Sequence, residues 1–141
     1  MTFVVDSSVA LKWVLTEQDS AKAIKLRLDY RAGTHDLISP DILLVESAHA
    51  LARAERRRII PLASADAYLL DIISTAPTSH AHLPLLRRAL AIASAERVGV
   101  YDCLYVALAE QELCEFITAD DKLIRNLQPK FPFIRSLASL P

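Results

Sequence analysis

Four acids in this chain stand where acids are unusual, because Asp and Glu are rarely buried without a partner. Asp6 closes the apolar run "FVVD", and Glu46 sits in "DILLVESAHAL" with Ile42, Leu43, His49 and Ala50 three and four residues away. Asp102 stands in "VGVYDCLYVALA", at the start of a very apolar helical stretch, and Asp120 follows "EFITA" with Asp121 beside it. Carboxylates brought together repel one another and are driven upward in pKa. The usual relief is a hard cation: Mg2+ takes oxygen ligands, often one or two carboxylates plus waters, and Mn2+ accepts the same donors. A cation so held lowers the pKa of a bound water, aims it, and stabilises charge on a phosphoryl oxygen. The chemistry this pattern points to is phosphodiester hydrolysis.

Each acid also has a plainer explanation. Asp102 is placed to cap the helix after it, Asp120 or Asp121 to favour a helix N-terminus, and Glu46 to pair with a nearby Arg or His. Asp6 is the hardest to explain this way, since a strand end needs no carboxylate.

Convergence of the four depends on the elements that carry them. "TFVVD" (2–6) reads as a short buried strand, with Ser7 or Ser8 capping the helix that follows. Residues 20–31 read as a helix with Ala21, Ile24, Leu28 and Ala32 on one stripe, and "DLISP" (36–40) as a strand. From Asp41, a plausible cap, a long helix runs toward Pro61 with Leu44, Ala48, Leu51 and Ala52 as its apolar face. Residues 64–75 read as a helix capped by Ser64, and "APTSHAHL" has room for a strand. Residues 84–99 read as a helix opening on Pro84 and stopping at Gly99. "YDCLYVALAEQEL" is helical, "EFIT" (115–118) a strand, "DDKLIRN" a short helix, and "FPFIR" (131–135) a last strand.

Short apolar strands alternating with helices imply a parallel sheet covered on both faces. In such sheets ligands bind beyond the carboxyl ends of the strands, which is where Asp6 and Asp120 fall.

The chain's 141 residues, 52% of them hydrophobic, suit one domain over residues 1–141 with a core that needs no staples. Sixteen basic against 17 acidic side chains give a net charge of −1, unlike domains that hold nucleic acid by bulk charge. Contact with a polyanion is then local or aided by a cation. Cys103 and Cys114 make no disulfide framework and read as reduced residues of a cytoplasmic protein. No secretory leader and no membrane-spanning segment is read.

The four motifs together resemble the PIN-domain nucleases, and within them the ribonuclease toxins of VapBC-type toxin–antitoxin pairs. A strand ending in Asp and followed by a small hydroxyl residue is matched by "VVDSSVALKW", with Asp6 and Ser8. A glutamate on a helix after a proline-marked strand is matched by Glu46 in "SPDILLVESAHAL". An acid opening an apolar helix is matched by Asp102 in "VYDCLYVALAE", and a Thr-x-Asp at a strand end by Thr118 and Asp120 in "ITADDKL". The resemblance spans nearly the whole chain. It implies an α/β/α sandwich around a central parallel sheet of four or five strands. It also implies endoribonuclease activity dependent on Mg2+ or Mn2+, homodimerisation, and inhibition by a small antitoxin. Asp6 and Asp102 are expected to hold the metal, Glu46 and Asp120 to complete the acidic cluster, and Ser8 to hydrogen-bond Asp6 or a metal-bound water. Alignment on Thr118 selects Asp120 over Asp121.

"RAERRR" (53–58) with Lys12, Lys122 and Arg125 offers phosphate contacts, of which Lys12, Arg53 and Lys122 are the RNA-contact candidates; a solvated helix end explains Arg56 to Arg58 as well. His35, His49, His80 and His82 lack zinc-site spacing. Trp13, Tyr101 and Tyr105 fit core or dimer packing better than base stacking. Two other readings fit less well. A haloacid-dehalogenase-type phosphatase wants a second Asp at position 8, which is Ser. A catalytically silent PIN-like RNA- or protein-binding module does not need all four acids.

Overall fold

The parallel sheet forms, and with five strands. The computed structural model describes all 141 residues, Met1–Pro141. Strands β1 (Thr2–Val5), β2 (Asp36–Pro40), β3 (Thr78–His80), β4 (Glu115–Thr118) and β5 (Ile134–Ser136) run in the spatial order β3-β2-β1-β4-β5, every neighbouring pair parallel. The helices are α1 (Ser7–Leu11), α2 (Ser20–Arg31), α3 (Leu43–Arg56), α4 (Ala65–Ser74), α5 (Leu86–Glu96), α6 (Val100–Glu112) and α7 (Asp121–Leu127). This is an α/β fold in which the chain builds outward from β1 to β3 and then returns to the other side of β1 to lay down β4. The reversal falls between β1 and β4, the kind of place where open parallel sheets form a crevice at their carboxyl edge.

Registry pairs Val4 with Phe116 and Val5 with Ile117. Alternation therefore sends Val4 and Phe116 to one face and Phe3, Val5 and Ile117 to the other. Tyr105 of α6 stacks on Phe116, ring centroids 5.7 Å apart and planes at 12°, so α6 covers the first face. Seven consecutive residues of α6, Cys103–Ala109, are buried, which is why this helix reads as apolar all round. Helix α2 covers the second face. It is anchored by Arg27, which donates to Thr75 Oγ1 and Asp71 Oδ1 and lies over the Trp13 ring.

Several sequence expectations shift. Helix α2 buries Ser20, Ala23, Leu26 and Arg27, while Ile24 and Leu28 are exposed. The expected stripe was wrong because the buried arginine, masked by its own polarity, marks the inner face. Helix α3 buries Leu43, Ser47, Leu51 and Ala54; of the expected Leu44, Ala48, Leu51 and Ala52 only Leu51 is on the buried face, the others being displaced by one or two positions. Asp41 does not cap it: its carboxylate accepts instead from the His82 backbone and ring. Ser64 precedes α4 without a side-chain cap bond, its hydroxyl donating to the Pro61 carbonyl. Helix α5 ends at Glu96, with Arg97 as its C-cap, not at Gly99. Gly99 instead opens α6, and the last strand lies one to three residues beyond its expected position.

Candidate active site

Asp6 ends β1 and begins α1. Its carboxylate accepts from the Ser8 backbone N–H at 3.1 Å and from the Ser8 hydroxyl, and Oδ2 accepts from Thr118 Oγ1 at 2.6 Å. Asp6, the acid hardest to explain structurally from sequence, does have a structural role: it caps α1. Its burial is harder to explain, because a capping Asp needs no more than surface placement. Only 6% of Asp6 is exposed. Burial raises its pKa from 3.8 to about 7. The Ser8 and Thr118 hydrogen bonds oppose the rise, and the charges of Asp102 and Asp120 add to it.

Ser8 and Thr118 bind more than Asp6. Ser8 Oγ accepts from the Ala119 backbone at 2.9 Å, and Thr118 Oγ1 accepts from the Asp120 backbone at 3.1 Å. The Ser8–Ala119 bond, with the Thr118–Asp6 bond, stitches the end of β1 to the end of β4 across the crevice. Thr118 is fully buried, so its hydroxyl has no water to fall back on.

Asp120 lies two residues past β4. It caps α7 through Oδ1, which accepts from Lys122 and Leu123 backbone N–H groups at 3.0 and 3.1 Å. The structural role expected for an acid here is therefore real and belongs to Asp120, whereas Asp121 occupies the first helical turn.

Asp102 is not a cap. Gly99 holds that position, and Asp102 lies in the first turn of α6 with no hydrogen bond to the helix end. Its pKa is raised by burial and by Asp120, with Lys122 pulling the other way. Glu46 lies in the first turn of α3 and is raised by burial and by Asp102. Its partner is neither Arg nor His but Tyr105, whose hydroxyl donates to Oε1 at 2.5 Å. Burial and Glu46 push the Tyr105 phenol well above its ordinary range, so it acts as a fixed donor. Sequence reading placed Tyr105 in the core and missed this contact; the signal was its position three residues after Asp102, on the same side of the helix.

The four acids thus come from four elements scattered along the chain, yet each senses another's charge: Asp6 with Asp102 and Asp120, Asp102 with Asp120, and Glu46 with Asp102. No three of the chain's His, Cys, Asp and Glu side chains converge tightly enough to cage an ion unaided. An all-oxygen donor set with one buried and three half-buried acids, mutually repelling and loosely spaced, suits a hard cation that keeps several of its waters.

Of the three cations proposed for phosphate contact, Lys122 lines the same cavity as Asp102 and Asp120. Lys12 is turned toward Glu17, 4.0 Å away, with a side chain only 14% exposed. Arg53 is exposed, seven residues and about 10 Å of helix rise beyond Glu46. Trp13 and Tyr105 are buried and Tyr101 is exposed.

The sequence matches the PIN domain family over residues 3–127, and the chain belongs to that family. PIN domains are generally nucleases. Among solved structures, PAE2754 from Pyrobaculum aerophilum is similar with a TM-score of 0.72 at 20% identity, over 99% of this chain and 94% of that one. VapBC2 from Rickettsia felis, bound to a DNA fragment from their promoter, is similar with a TM-score of 0.64 at 11% identity, over 96% of this chain and 98% of that one. At such identities the likeness is one of fold. No curated protein matches the sequence.

Proposed function

We propose that this PIN domain is an endoribonuclease that uses Mg2+ or Mn2+ and serves as the toxin of a toxin–antitoxin pair. The observation that carries the reading is Asp6, a carboxylate buried at the sheet's switch point, raised to about 7 and lying within the field of Asp102 and Asp120. Helix capping by Asp6 and Asp120 does not require their mutual repulsion with Asp102, which a bound cation would relieve.

Asp6 and Asp102 would hold the metal, directly or through its waters, and Glu46 and Asp120 would orient the remaining waters. When bound, the ion supplies Lewis acidity and a water of lowered pKa. The chain supplies the positioning. Ser8 and Thr118 lock the Asp6 carboxylate, Tyr105 holds Glu46, and Lys122 offsets negative charge near Asp102. A near-neutral protein can then meet RNA at one local place rather than over a basic surface.

The remaining parts of the reading follow the resemblance and have physical support. Free Cys103 and Cys114 suit a reducing cytoplasm, and no helix is long and apolar enough to cross a membrane. Leu83, Leu86 and Leu90 leave an exposed apolar stripe suited to a homodimer. A small antitoxin would have to cover the acid-lined crevice to inhibit.

Labelled RNA incubated with Mg2+, Mn2+ or EDTA tests the proposal. Cleavage should require a divalent ion and should disappear in Asp6→Asn and Asp102→Asn, both retaining a wild-type circular dichroism spectrum. Cleavage that survives EDTA, or either substitution, overturns it.

A further inference from the structure

The acids are not the whole of the crevice. A cavity of about 240 Å³ between the α5–α6 turn and α7 is walled by Arg97, Gly99, Asp102, Asp120, Lys122 and Asn126. Two walls are proposed catalytic acids; the others bring two cations and a carboxamide. Neither Arg97 nor Lys122 has a carboxylate within 4.0 Å, unlike Lys25, Arg27, Arg88, Lys130 and Arg135, which are all paired.

The backbone makes these two cavity residues more informative. Arg97, the C-cap of α5, lies in the left-handed region, φ 57° and ψ 48°, a position that favours glycine. Gly99, two residues on, has φ −67° and ψ 144°, which any residue adopts, and it leaves α6 without a side-chain cap where Ser or Asp would supply one. A glycine at 97 and a serine at 99 would stabilise both helix ends. The chain has the reverse, and both residues face one cavity. A Cβ built at Gly99 meets nothing within 4 Å, so any side chain there would project into open space.

We propose that this cavity is a backbone-phosphate subsite, in which Arg97 and Lys122 hold a phosphate flanking the one that reacts at the carboxylates, with Asn126 as an added donor. The inference rests on the nuclease reading and narrows its substrate to a strand with at least two phosphodiesters. The acids repel an approaching polyanion, and two unpaired cations on the same wall supply the local attraction that a net charge of −1 does not. Gly99 keeps the space clear.

Binding of a fluorescein-labelled 12-nucleotide single-stranded RNA, followed by anisotropy in EDTA over a salt series, reads the subsite without turnover. Arg97→Gln and Lys122→Gln should each weaken binding about fivefold or more. Each should also flatten the slope of log affinity against log salt, and the double variant by about 0.7, one single-strand phosphate contact. Gly99→Leu should weaken binding by filling the cavity. Arg97→Gly is the sharpest variant: it should lose the same affinity while melting about 2–4 °C higher, because it relieves the left-handed backbone. With Mn2+, the preference of the protein for the 12-mer over a dinucleotide, as a ratio of kcat/KM, should fall in Arg97→Gln and Lys122→Gln. Unchanged affinity and salt slope in these variants, with RNA still cleaved by the wild type, overturn the subsite and leave the nuclease reading standing. Salt-dependent binding lost in Arg97→Gln, with no cleavage by the wild type, supports the phosphate site and overturns the nuclease reading instead. Absence of salt-dependent binding by the wild type overturns the subsite outright.

Discussion

Tyr105 donates its hydroxyl hydrogen to Glu46 Oε1 at 2.5 Å, across 59 residues of sequence, and thereby ties α6 to α3 inside the acid cluster. The bond opposes the rise that burial imposes on the Glu46 pKa. Tyr105→Phe keeps the stacking on Phe116 and removes only the donor. Glu46 should then titrate higher, and the acidic limb of the pH–rate profile should move to higher pH. The hydrogen bond contributes about 1 kcal/mol net, and its loss should appear as a lower urea midpoint. A pH–rate profile that does not move would mean that Glu46 has no part in the reaction.

Asp6 couples activity to instability. Its pKa is about 7 in the folded chain against an ordinary 3.8, so between these values the folded state holds a proton that the unfolded state has released. The stabilising difference is fully present below about pH 4 and is lost as pH rises through about 7. A shift of that size corresponds to roughly 4 kcal/mol. Metal-free protein should therefore be less stable at pH 8 than at pH 5 in urea titrations with EDTA. Asp6→Asn, still a good helix cap, should flatten this dependence and exceed the wild type in stability at pH 8, while losing cleavage. Equal pH dependence in the two proteins would show that Asp6 ionises without penalty.

Divalent ions should act on the same linkage from the other side. Neutralising the cluster favours the charged carboxylates, so Mn2+ or Mg2+ should raise the melting temperature more at pH 8 than at pH 5. At a hundredfold excess over Kd a single site contributes about 2.7 kcal/mol. Calorimetry with and without EDTA reads this directly, and Asp102→Asn should remove most of the gain.

The strands were the legible part of this fold. Short apolar runs closed by Asp or Pro announced β1, β2 and β4, and acids at strand and helix ends pointed to a crevice before any geometry was known. Helix faces were less readable where polarity misled: Arg27 is buried in α2 because Asp71, Thr75 and Trp13 receive it, and no local pattern encodes partners that distant. Helix ends were obscured at Arg97 and Gly99, where each residue sits in the backbone state that suits the other. Side-chain donors such as Tyr105 depend on two helices meeting across the sheet, and sequence spacing could have suggested its side of α6 but not its partner.

Asp120 serves two purposes that substitutions can separate. As the cap of α7 it accepts two backbone N–H bonds, a role Asn fills equally well and Ala does not. Asp120→Ala should cost about 1 kcal/mol of stability and also reduce cleavage. Asp120→Asn should keep the stability and reduce cleavage to the same extent, because only the charge is gone. If Asp120→Asn cleaves RNA at the wild-type rate, the residue is a cap and nothing more.

Thr118 tests whether the junction between β1 and β4 shapes the chemistry. Its buried hydroxyl donates to Asp6 Oδ2 and accepts from the Asp120 backbone, so it serves both acids at once. Thr118→Val preserves shape but strands the Asp120 N–H and removes a bond that lowers the Asp6 pKa. Losing these bonds, with the half-buried Asp120 N–H left without its protein partner, should cost about 1 kcal/mol. The variant should melt lower, and its metal-free stability should go on falling to a higher pH than in the wild type, since Asp6 now titrates higher. Thr118→Ser, which restores the hydroxyl, should recover both properties apart from a small cavity cost. Recovery of stability without recovery of the pH dependence would show that Thr118 supports the strand junction and leaves the Asp6 carboxylate untouched.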